Sequence, residues 1–310
     1  MSQSVDDRTE DEKNPKSINY INKSRYSPVY TYLSDNIYIQ DFHNDNPRFN
    51  IDENSYNEFI KNGIPKRLAE HFCNLMVRDP LVIFDENIDI EDPDDYSHFE
   101  NFQSTNWNSL RLKPPKIEDH DFCFKVEVRV PEINISSYEN AAMGTFLTLF
   151  SLLVYKYDFN TIIPMSKVDE NFRKANLNDA VIKEKFWFKT NGLSTESATH
   201  LCGALHHCKK ENIDDKLKLL KCQETENDNI HLLTVEEIIC GSDKYKYPGI
   251  LWLMEDFVNR HLTSENEKAY IRKHLEFIKL RSNGIIFTFN LITKMQVLYG
   301  QTLSILETSF

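Results

Sequence analysis

The chain has 310 residues, which is enough for one large domain or two ordinary ones with a sizeable core. Hydrophobic residues make up 40% of the sequence and include 20 Phe and 14 Tyr, so its composition is globular rather than disordered. The formal net charge of −12 argues against a general nucleic-acid-binding protein, because such proteins carry a basic surface.

Neither a targeting segment nor a membrane helix is predicted. Residues 1–16 are polar and charged and contain no apolar stretch of the signal-peptide type. The longest apolar run, 141–154, is shorter than the roughly 20 residues that a membrane helix needs, so we expect a buried core helix. Six cysteines without regular spacing predict reduced thiols in a cytoplasmic protein rather than a disulfide framework.

Glycine spacing limits how this chain can hold a nucleotide. Only eight glycines occur, and no two are close enough to form GxGxxG or GxxxxGK[ST]. A bound nucleotide must therefore be held by side chains and a metal rather than by a glycine-rich backbone loop.

The patterns along the chain predict an α+β fold with a helical C-terminal third. Residues 1–22 are polar and predicted to be irregular, the acidic stretch 85–95 is predicted to be a solvated loop, and 162–167 is predicted to be extended. The segment 179–188 reads as helix or strand, and 190–229 as irregular with short helices near 194–207 and 213–220. Better helices are predicted at 55–62, 65–77, 168–175, 234–240, 251–262 and 264–280, and from a serine cap at Ser136 or Ser137 to about Tyr157.

Two segments on either side of Pro114 and Pro115 alternate strictly between apolar and polar residues, as strands do. Pairing them antiparallel puts one carboxylate, Glu127, on a face with four cations. These are Arg111, Lys113, Lys125 and Arg129. This face is either an anion site that contains a metal ligand or an ordinary solvated sheet face, and the pattern alone favours the second reading.

Other chemically notable residues leave two readings open. The cluster of Cys202, His206 and Cys208 fits either a zinc site or ordinary thiols and surface histidines. Trp107 is either a core anchor or a flat wall against a small ligand.

Several motifs together closely resemble the eukaryotic glutamate–cysteine ligase catalytic subunit. The main ones are HFENFQSTNWNSLRLKPP, KVEVRVPEI and SSYENAA. SVDDRT, KSRY, RDPL, PMSKVDEN, DAV and YPG match further family segments in the same order, so the resemblance covers nearly the whole chain.

The resemblance implies an ATP-dependent ligation in the cytoplasm, with ATP and Mg²⁺ as cofactors and no membrane or nucleic-acid partner. The γ-carboxylate of L-glutamate is phosphorylated, and the amino group of L-cysteine attacks the γ-glutamyl phosphate in the first step of glutathione biosynthesis. The implied fold is part of a glutamine-synthetase-like antiparallel sheet. Residues 1–22 form an irregular N-terminal segment, 23–190 the C-terminal part of the catalytic domain, and 191–310 a mainly helical region.

The resemblance also assigns roles to single residues. For the substrates, it implies that Arg8 clamps the α-carboxylate of glutamate. Arg129 contacts the reacting glutamate and phosphate, and Trp107 and Tyr26 line the cysteine pocket. For the nucleotide, it implies that Glu127 ligates magnesium and that Arg111 lies near ATP. Lys125 replaces a family arginine, keeping the charge but losing the bidentate fork with which arginine would contact ATP.

This chain also departs from the family in length. The family's catalytic subunit begins well before SVDDRT, and its upstream half supplies most of the magnesium-binding glutamates. We therefore expect the chain alone not to ligate at a normal rate and to work with a modifier subunit or a separate N-terminal half. The alternatives are a non-catalytic regulatory or binding partner of a ligase and a truncated, inactive fragment.

Overall fold

The computed structural model describes residues 6–34, 39–45, 50–78, 97–104, 109–113, 125–129, 134, 136–157, 159–190 and 229–286. Their helices are α1 (Glu10–Lys13), α2 (Glu53–Lys61), α3 (Lys66–Leu75), α4 (Ser97–Ser104), α5 (Ser137–Tyr157), α6 (Met165–Ala175), α7 (Ala180–Lys183), α8 (Val235–Cys240), α9 (Ile250–His261) and α10 (Glu265–Ser282). Their strands are β1 (Leu110–Lys113), β2 (Lys125–Val128), β3 (Lys185–Lys189) and β4 (Ile230–Thr234).

Both sheets within these ranges are antiparallel and two-stranded, β1 with β2 and β3 with β4. Helices combined with small antiparallel sheets agree with the predicted α+β class. That β1 and β2 belong to a glutamine-synthetase-like sheet stays a prediction.

Contacts divide the chain into two compact units. The first unit comprises Met1–Glu132 and Pro164–Asn176, and the second comprises Ile133–Ile163 and Leu177–Phe310. The domain boundaries at 22 and 190 stay a prediction.

In the first unit, α2 and α3 are the two helices predicted there, and they pack against each other. Asp52 caps α2 by accepting a hydrogen bond from the Ser55 amide at 2.7 Å. On α3, Phe72 is buried and meets the ring of Phe99 edge-on, with the ring centroids 5.0 Å apart. The predicted apolar stripe of α3 therefore faces the core of this unit.

One prediction in the first unit is wrong: the extended segment expected at 162–167 does not continue past Pro164. Helix α6 begins at Met165, and the Pro164 carbonyl accepts hydrogen bonds from the amides of Lys167 and Val168. Proline suits this place because the lost N–H is one that the first turn of a helix leaves unbonded. Met165 is buried, and its burial favours the helix.

In the second unit, α5 is the predicted serine-capped helix. The hydroxyl of Ser136 accepts from the Glu139 amide at 3.2 Å, and the Ser136 amide donates to the Glu139 carboxylate at 3.3 Å. Leu149 and Leu153 are buried, while Tyr155 is exposed, so the apolar run forms a core helix on one face. No helix within the described ranges is both long and apolar enough to cross a membrane.

The segment left open between helix and strand contains both, because α7 is followed directly by β3. Strand β3 pairs with β4, with Trp187 opposite Leu232. Thr234 then starts α8 with the predicted capping box, exchanging hydrogen bonds with Glu237. Ser264 likewise caps α10 by accepting from the Glu267 amide.

Gly249, in the YPG motif, lies at the start of α9 with a φ of 91°. A Cβ added there would lie 2.5 Å from the carbonyl carbon of Cys240, closer than a side chain can approach. The motif therefore lets α9 begin directly against the end of α8.

Both described cysteines, Cys73 and Cys240, carry free thiols. That the cysteines of the whole chain are reduced stays a prediction. The helices predicted near 194–207 and 213–220, the acidic loop at 85–95 and the cluster of Cys202, His206 and Cys208 lie outside the described residues.

Candidate active site

The predicted pairing of the two alternating segments is confirmed. Arg111 lies opposite Glu127 and Lys113 lies opposite Lys125. Residues directly opposite in an antiparallel pair point to the same face, so the register brings these four positions together. The backbone register therefore agrees with the charged face expected from the sequence.

Glu127 is the centre of this face. Its Oε2 lies 3.0 Å from Nζ of Lys113, and its Oε1 accepts a hydrogen bond from Nη1 of Arg129 at 3.1 Å. All three side chains are partly buried, so water screens these pairs less than it would at an open surface. A single carboxylate thus balances two cations at close range.

Two features of the face favour an anionic ligand. Lys113 and Lys125 are directly opposite each other, and like charges in that arrangement repel. The Arg129 amide donates to the Ser109 carbonyl at 2.8 Å, which fixes the residue beside β1. Within the described residues, the buried Nε of Arg129 has no hydrogen-bond acceptor. An added anion would ease the repulsion and accept that hydrogen bond.

The opposite, apolar face of this hairpin is exposed. Leu110, Val126 and Val128 are 44%, 63% and 45% exposed. The apolar residues of the alternating pattern therefore bury little of their surface in this hairpin.

Arg8 belongs to a second group of contacts, at the beginning of the described chain. Its Nη1 donates to the carbonyls of Ile21 at 3.0 Å and Asn22 at 2.8 Å. Its Nε and Nη2 donate to the two carboxylate oxygens of Asp6 at 2.9 and 2.7 Å. The bidentate partner that the resemblance gives to Arg8 is a carboxylate, and here Asp6 provides one.

The loop whose carbonyls bind Arg8, at Ile21 and Asn22, is held in place by the buried charge of the next residue, Lys23. Nζ of Lys23 donates to Asp169 of α6 at 2.6 Å, and burial lowers the pKa of Lys23 although Asp169 opposes that shift. The Lys23 amide donates to the hydroxyl of Tyr30 at 3.0 Å, and burial raises the pKa of that hydroxyl to about 12. Lys23 is therefore held by both its backbone and its side chain.

A second carboxylate, Asp7, joins two arginines in the same region. Its Oδ2 lies 3.1 Å from Nε of Arg25 and 3.2 Å from Nη1 of Arg78. Nη2 of Arg78 also donates to the Lys23 carbonyl at 3.1 Å. Burial, and then the charge of Arg78, lower the pKa of Arg25.

Four of the motifs that carry the family resemblance meet in this group. SVDDRT contributes Asp7 and Arg8, KSRY contributes Lys23 and Arg25, RDPL contributes Arg78, and PMSKVDEN contributes Asp169. Sequence reasoning singled out Arg8 but missed the supporting residues. The recurrence of charged residues in four separate motifs was the signal that could have found them.

A cleft of about 570 Å³ borders this group. It is lined by Thr9, Asp11, Glu12, Ile18, Asn19, Ile21, Arg25, Asn50, Val77 and Arg78. Its walls carry both cationic and anionic side chains, and its volume lies within the range of small-molecule sites in proteins.

Of the other residues singled out from the sequence, Tyr26 is half-buried in the KSRY loop, where its amide donates to the Ser24 hydroxyl at 3.3 Å. Arg111 is placed by its backbone in β1, and Lys125 is exposed in β2. Trp107 lies outside the described residues, so its position in a cysteine pocket stays a prediction.

The fit to magnesium can be judged from the carboxylates present. Within the described ranges, no group of three or more His, Cys, Asp or Glu side chains is arranged to hold a metal ion. Glu127 fits magnesium as one ligand, because that ion is often held by one or two carboxylates together with phosphate oxygens and water. The hairpin can thus share a magnesium ion with a bound phosphate rather than enclose it.

Comparison with known proteins agrees with the family resemblance that the sequence motifs indicate. Residues 1–298 match the family described as glutamate–cysteine ligase. The glutamate–cysteine ligase catalytic subunit of Homo sapiens is 32% identical over 294 residues, which is 93% of this chain and 43% of that protein. The Schizosaccharomyces pombe glutamate–cysteine ligase is 32% identical over 285 residues, 92% of this chain and 38% of the relative.

The glutamate–cysteine ligase of Candida albicans is 42% identical over a shorter stretch of 189 residues, which is 57% of this chain. The chain spans about two fifths of the length of the human and fission-yeast relatives. The match to residues 1–298 shows that the chain belongs to the glutamate–cysteine ligase family.

Proposed function

We propose that the chain takes part in the ATP-dependent ligation of L-glutamate to L-cysteine, the first step of glutathione biosynthesis, in the cytoplasm. The observation that carries the proposal is the charged face of the β1/β2 hairpin, where Lys113 and Arg129 flank Glu127. In a family of ligases, a carboxylate among cations at a partly buried site suits the handling of phosphate.

In this proposal Glu127 holds magnesium, and Arg111 and Lys125 lie beside the nucleotide. Magnesium would draw charge from the phosphate oxygens of ATP. Arg129 contacts the γ-carboxylate of glutamate and the phosphoryl group passed to it. Its Nε and the nearby Lys113 place positive charge where negative charge develops on oxygen during the transfer.

The substrates are assigned to the same unit of the protein. Arg8 binds the α-carboxylate of glutamate through its Nε and Nη2 edge, while Nη1 stays on the carbonyls of Ile21 and Asn22. Tyr26 and Trp107 line the pocket for cysteine, whose amino group attacks the γ-glutamyl phosphate. Holding both reactants in place converts a bimolecular step into an effectively unimolecular one.

Two observations favour a second candidate. The chain covers 43% of the human relative, and its described hairpin contributes one carboxylate for a metal. Both facts also suit a non-catalytic chain that pairs with a separate N-terminal half, a modifier subunit or a complete ligase. They suit an inactive fragment as well.

Replacing Glu127 in cells that make this protein separates the two candidates. Glu127→Gln keeps the size of the side chain and removes the charge of a proposed metal ligand, so ligation predicts a fall of roughly tenfold or more in γ-glutamylcysteine. Glu58→Gln in α2 is the matched control, because Glu58 also pairs with a lysine, at 3.3 Å. An unchanged γ-glutamylcysteine level in the Glu127→Gln cells would favour the non-catalytic candidate.

A second assay follows ADP release by the purified 310-residue chain, with glutamate or cysteine omitted in turn. We expect release by the chain alone to be far slower than by a complete catalytic subunit, because the described hairpin supplies a single metal ligand. Rapid release that requires both amino acids would contradict that expectation and would establish the chain as a ligase by itself.

A further inference from the structure

The guanidinium of Arg8 has two edges with different partners: one binds backbone carbonyls and the other binds Asp6. Nη1 is fixed by two backbone carbonyls, at 3.0 and 2.8 Å, which no ligand needs to displace. Nε and Nη2 form a fork that already holds a carboxylate bidentately, at 2.9 and 2.7 Å. The guanidinium can thus exchange one carboxylate for another without losing its place on the loop.

The two adjacent aspartates of SVDDRT have different surroundings. The side chain of Asp7 is 18% exposed and binds the inward-facing Arg25 and Arg78. The side chain of Asp6 is 41% exposed and binds Arg8. Asp7 is therefore part of the supporting structure, whereas Asp6 can leave Arg8 at little structural cost.

We propose that Asp6 is a specificity-determining residue that binds the α-ammonium group of glutamate when its α-carboxylate takes the Nε and Nη2 edge of Arg8. This rests on the proposed function, in which Arg8 binds that carboxylate. The zwitterion replaces one ion pair by two: Arg8 with the ligand carboxylate, and Asp6 with the ligand ammonium. No charge is left without a partner in the exchange.

The same exchange disfavours a ligand that lacks the ammonium group. Glutarate has both carboxylates of glutamate but no amino group, so its binding would displace Asp6 from Arg8 and give Asp6 nothing in return. An aspartate carboxylate is charged at neutral pH, so a displaced Asp6 would keep a negative charge without a cationic partner. Asp6 thus acts against the dicarboxylate and in favour of the amino acid.

Calorimetric titration of the 310-residue chain with L-glutamate and with glutarate tests this. The bond between Asp6 and the ammonium group forms with L-glutamate but not with glutarate. Since hydrogen bonds to charged groups are strong, wild type is expected to bind L-glutamate about 10- to 100-fold more tightly than glutarate. In Asp6→Asn the preference is expected to fall to within about threefold. Glu10→Gln, an exposed acidic position paired with Lys13, is the matched control and is expected to keep the wild-type preference.

Each result has a defined meaning. A wild-type chain that binds glutarate as tightly as L-glutamate would overturn the proposal without any variant. A preference for L-glutamate that survives in Asp6→Asn would overturn it too, as would tighter binding of both ligands, which would make Asp6 a mere competitor for Arg8.

The proposed function fails in a different way. If Arg8→Lys binds L-glutamate as well as wild type does, or if wild type binds none, then Arg8 is not the carboxylate clamp and both proposals fall. If Arg8→Lys loses binding while Asp6→Asn keeps the wild-type preference, only the assignment of Asp6 fails. Far-UV circular dichroism and Tm of each variant establish that the fold is retained.

Discussion

The β3/β4 sheet is packed against its own unit, whereas the β1/β2 hairpin leaves its apolar face exposed. Leu233 of β4 is fully buried, and Phe188 of β3 lies 5.4 Å from the ring of Tyr247. In β1 and β2, the notable contacts are instead the ion pairs of Glu127.

The two sheets therefore differ in what stabilises them. A two-stranded hairpin is marginal by itself and gains stability from packing on other elements. The β3/β4 sheet obtains that packing from α8 and from Tyr247. The β1/β2 hairpin places like-charged lysines opposite each other, which lowers stability and is useful where an anion binds.

The largest effect expected from this comparison is in packing. Leu233→Ala removes a fully buried side chain and is expected to lower the free energy of unfolding by about 3 kcal/mol. Val126→Ala removes a mostly exposed one and is expected to change it by less than about 0.5 kcal/mol. Urea unfolding of both variants measures the difference. Equal losses of unfolding free energy would contradict the contrast between the packed β3/β4 sheet and the exposed apolar face of β1/β2.

Removing one partner of the buried ion pair in the unit of β1 and β2 is expected to have a similar effect. Asp169→Asn leaves the Lys23 ammonium buried without its carboxylate and is expected to cost about 2–3 kcal/mol. Glu170→Gln, next to it on α6, removes a more exposed pair with Lys174 and is expected to cost less than about 0.5 kcal/mol. If thermal unfolding shows the same small loss for both, the anchoring role of Lys23 is wrong.

Acidification acts on the same unit through His71 of α3. Burial lowers the pKa of His71 from 6.5 to about 4, so the unfolded chain binds this proton more readily than the folded one. The stability contribution is therefore complete above pH 6.5 and lost as the pH falls from 6.5 towards 4, at about 1 kcal/mol per pH unit.

The window between pH 6.5 and 5.5 separates this effect from most carboxylate titrations. Denaturant unfolding is expected to show a shallower loss of stability there in His71→Gln than in wild type. The exposed His261→Gln is the control. Identical slopes in the wild type and His71→Gln would mean that the histidine is not buried as described.

The sequence anticipated local structure better than long-range contacts. Alternation predicted which residues of β1 and β2 share a face, although not their register, and the Thr234 and Ser264 caps were visible because capping depends on residues three positions apart. The start of α6 at Met165 was missed, because the burial that favours it depends on the fold.

The charged network could not be predicted from spacing for the same reason. Lys23 and Asp169 are 146 positions apart, and Asp7 and Arg78 are 71 apart. No periodicity relates such residues. The resemblance marked the motifs that contain them, but only the fold brings the motifs together.

For Glu127, a small expected change in stability accompanies an informative change in binding. Glu127→Gln removes partly exposed ion pairs, so its free energy of unfolding is expected to stay within about 1 kcal/mol of wild type. Lys113 and Arg129 remain to attract phosphate, so ATP alone is expected to bind no more weakly than in the wild type.

The magnesium that we propose for Glu127 would join that residue to the nucleotide, and equilibrium dialysis of ATP with and without Mg²⁺ tests for this link. Wild type and the Glu58→Gln control are expected to bind ATP more tightly when Mg²⁺ is added, and Glu127→Gln is expected to lose that increase. A Glu127→Gln chain with the same Mg²⁺-dependent increase as wild type would contradict the account.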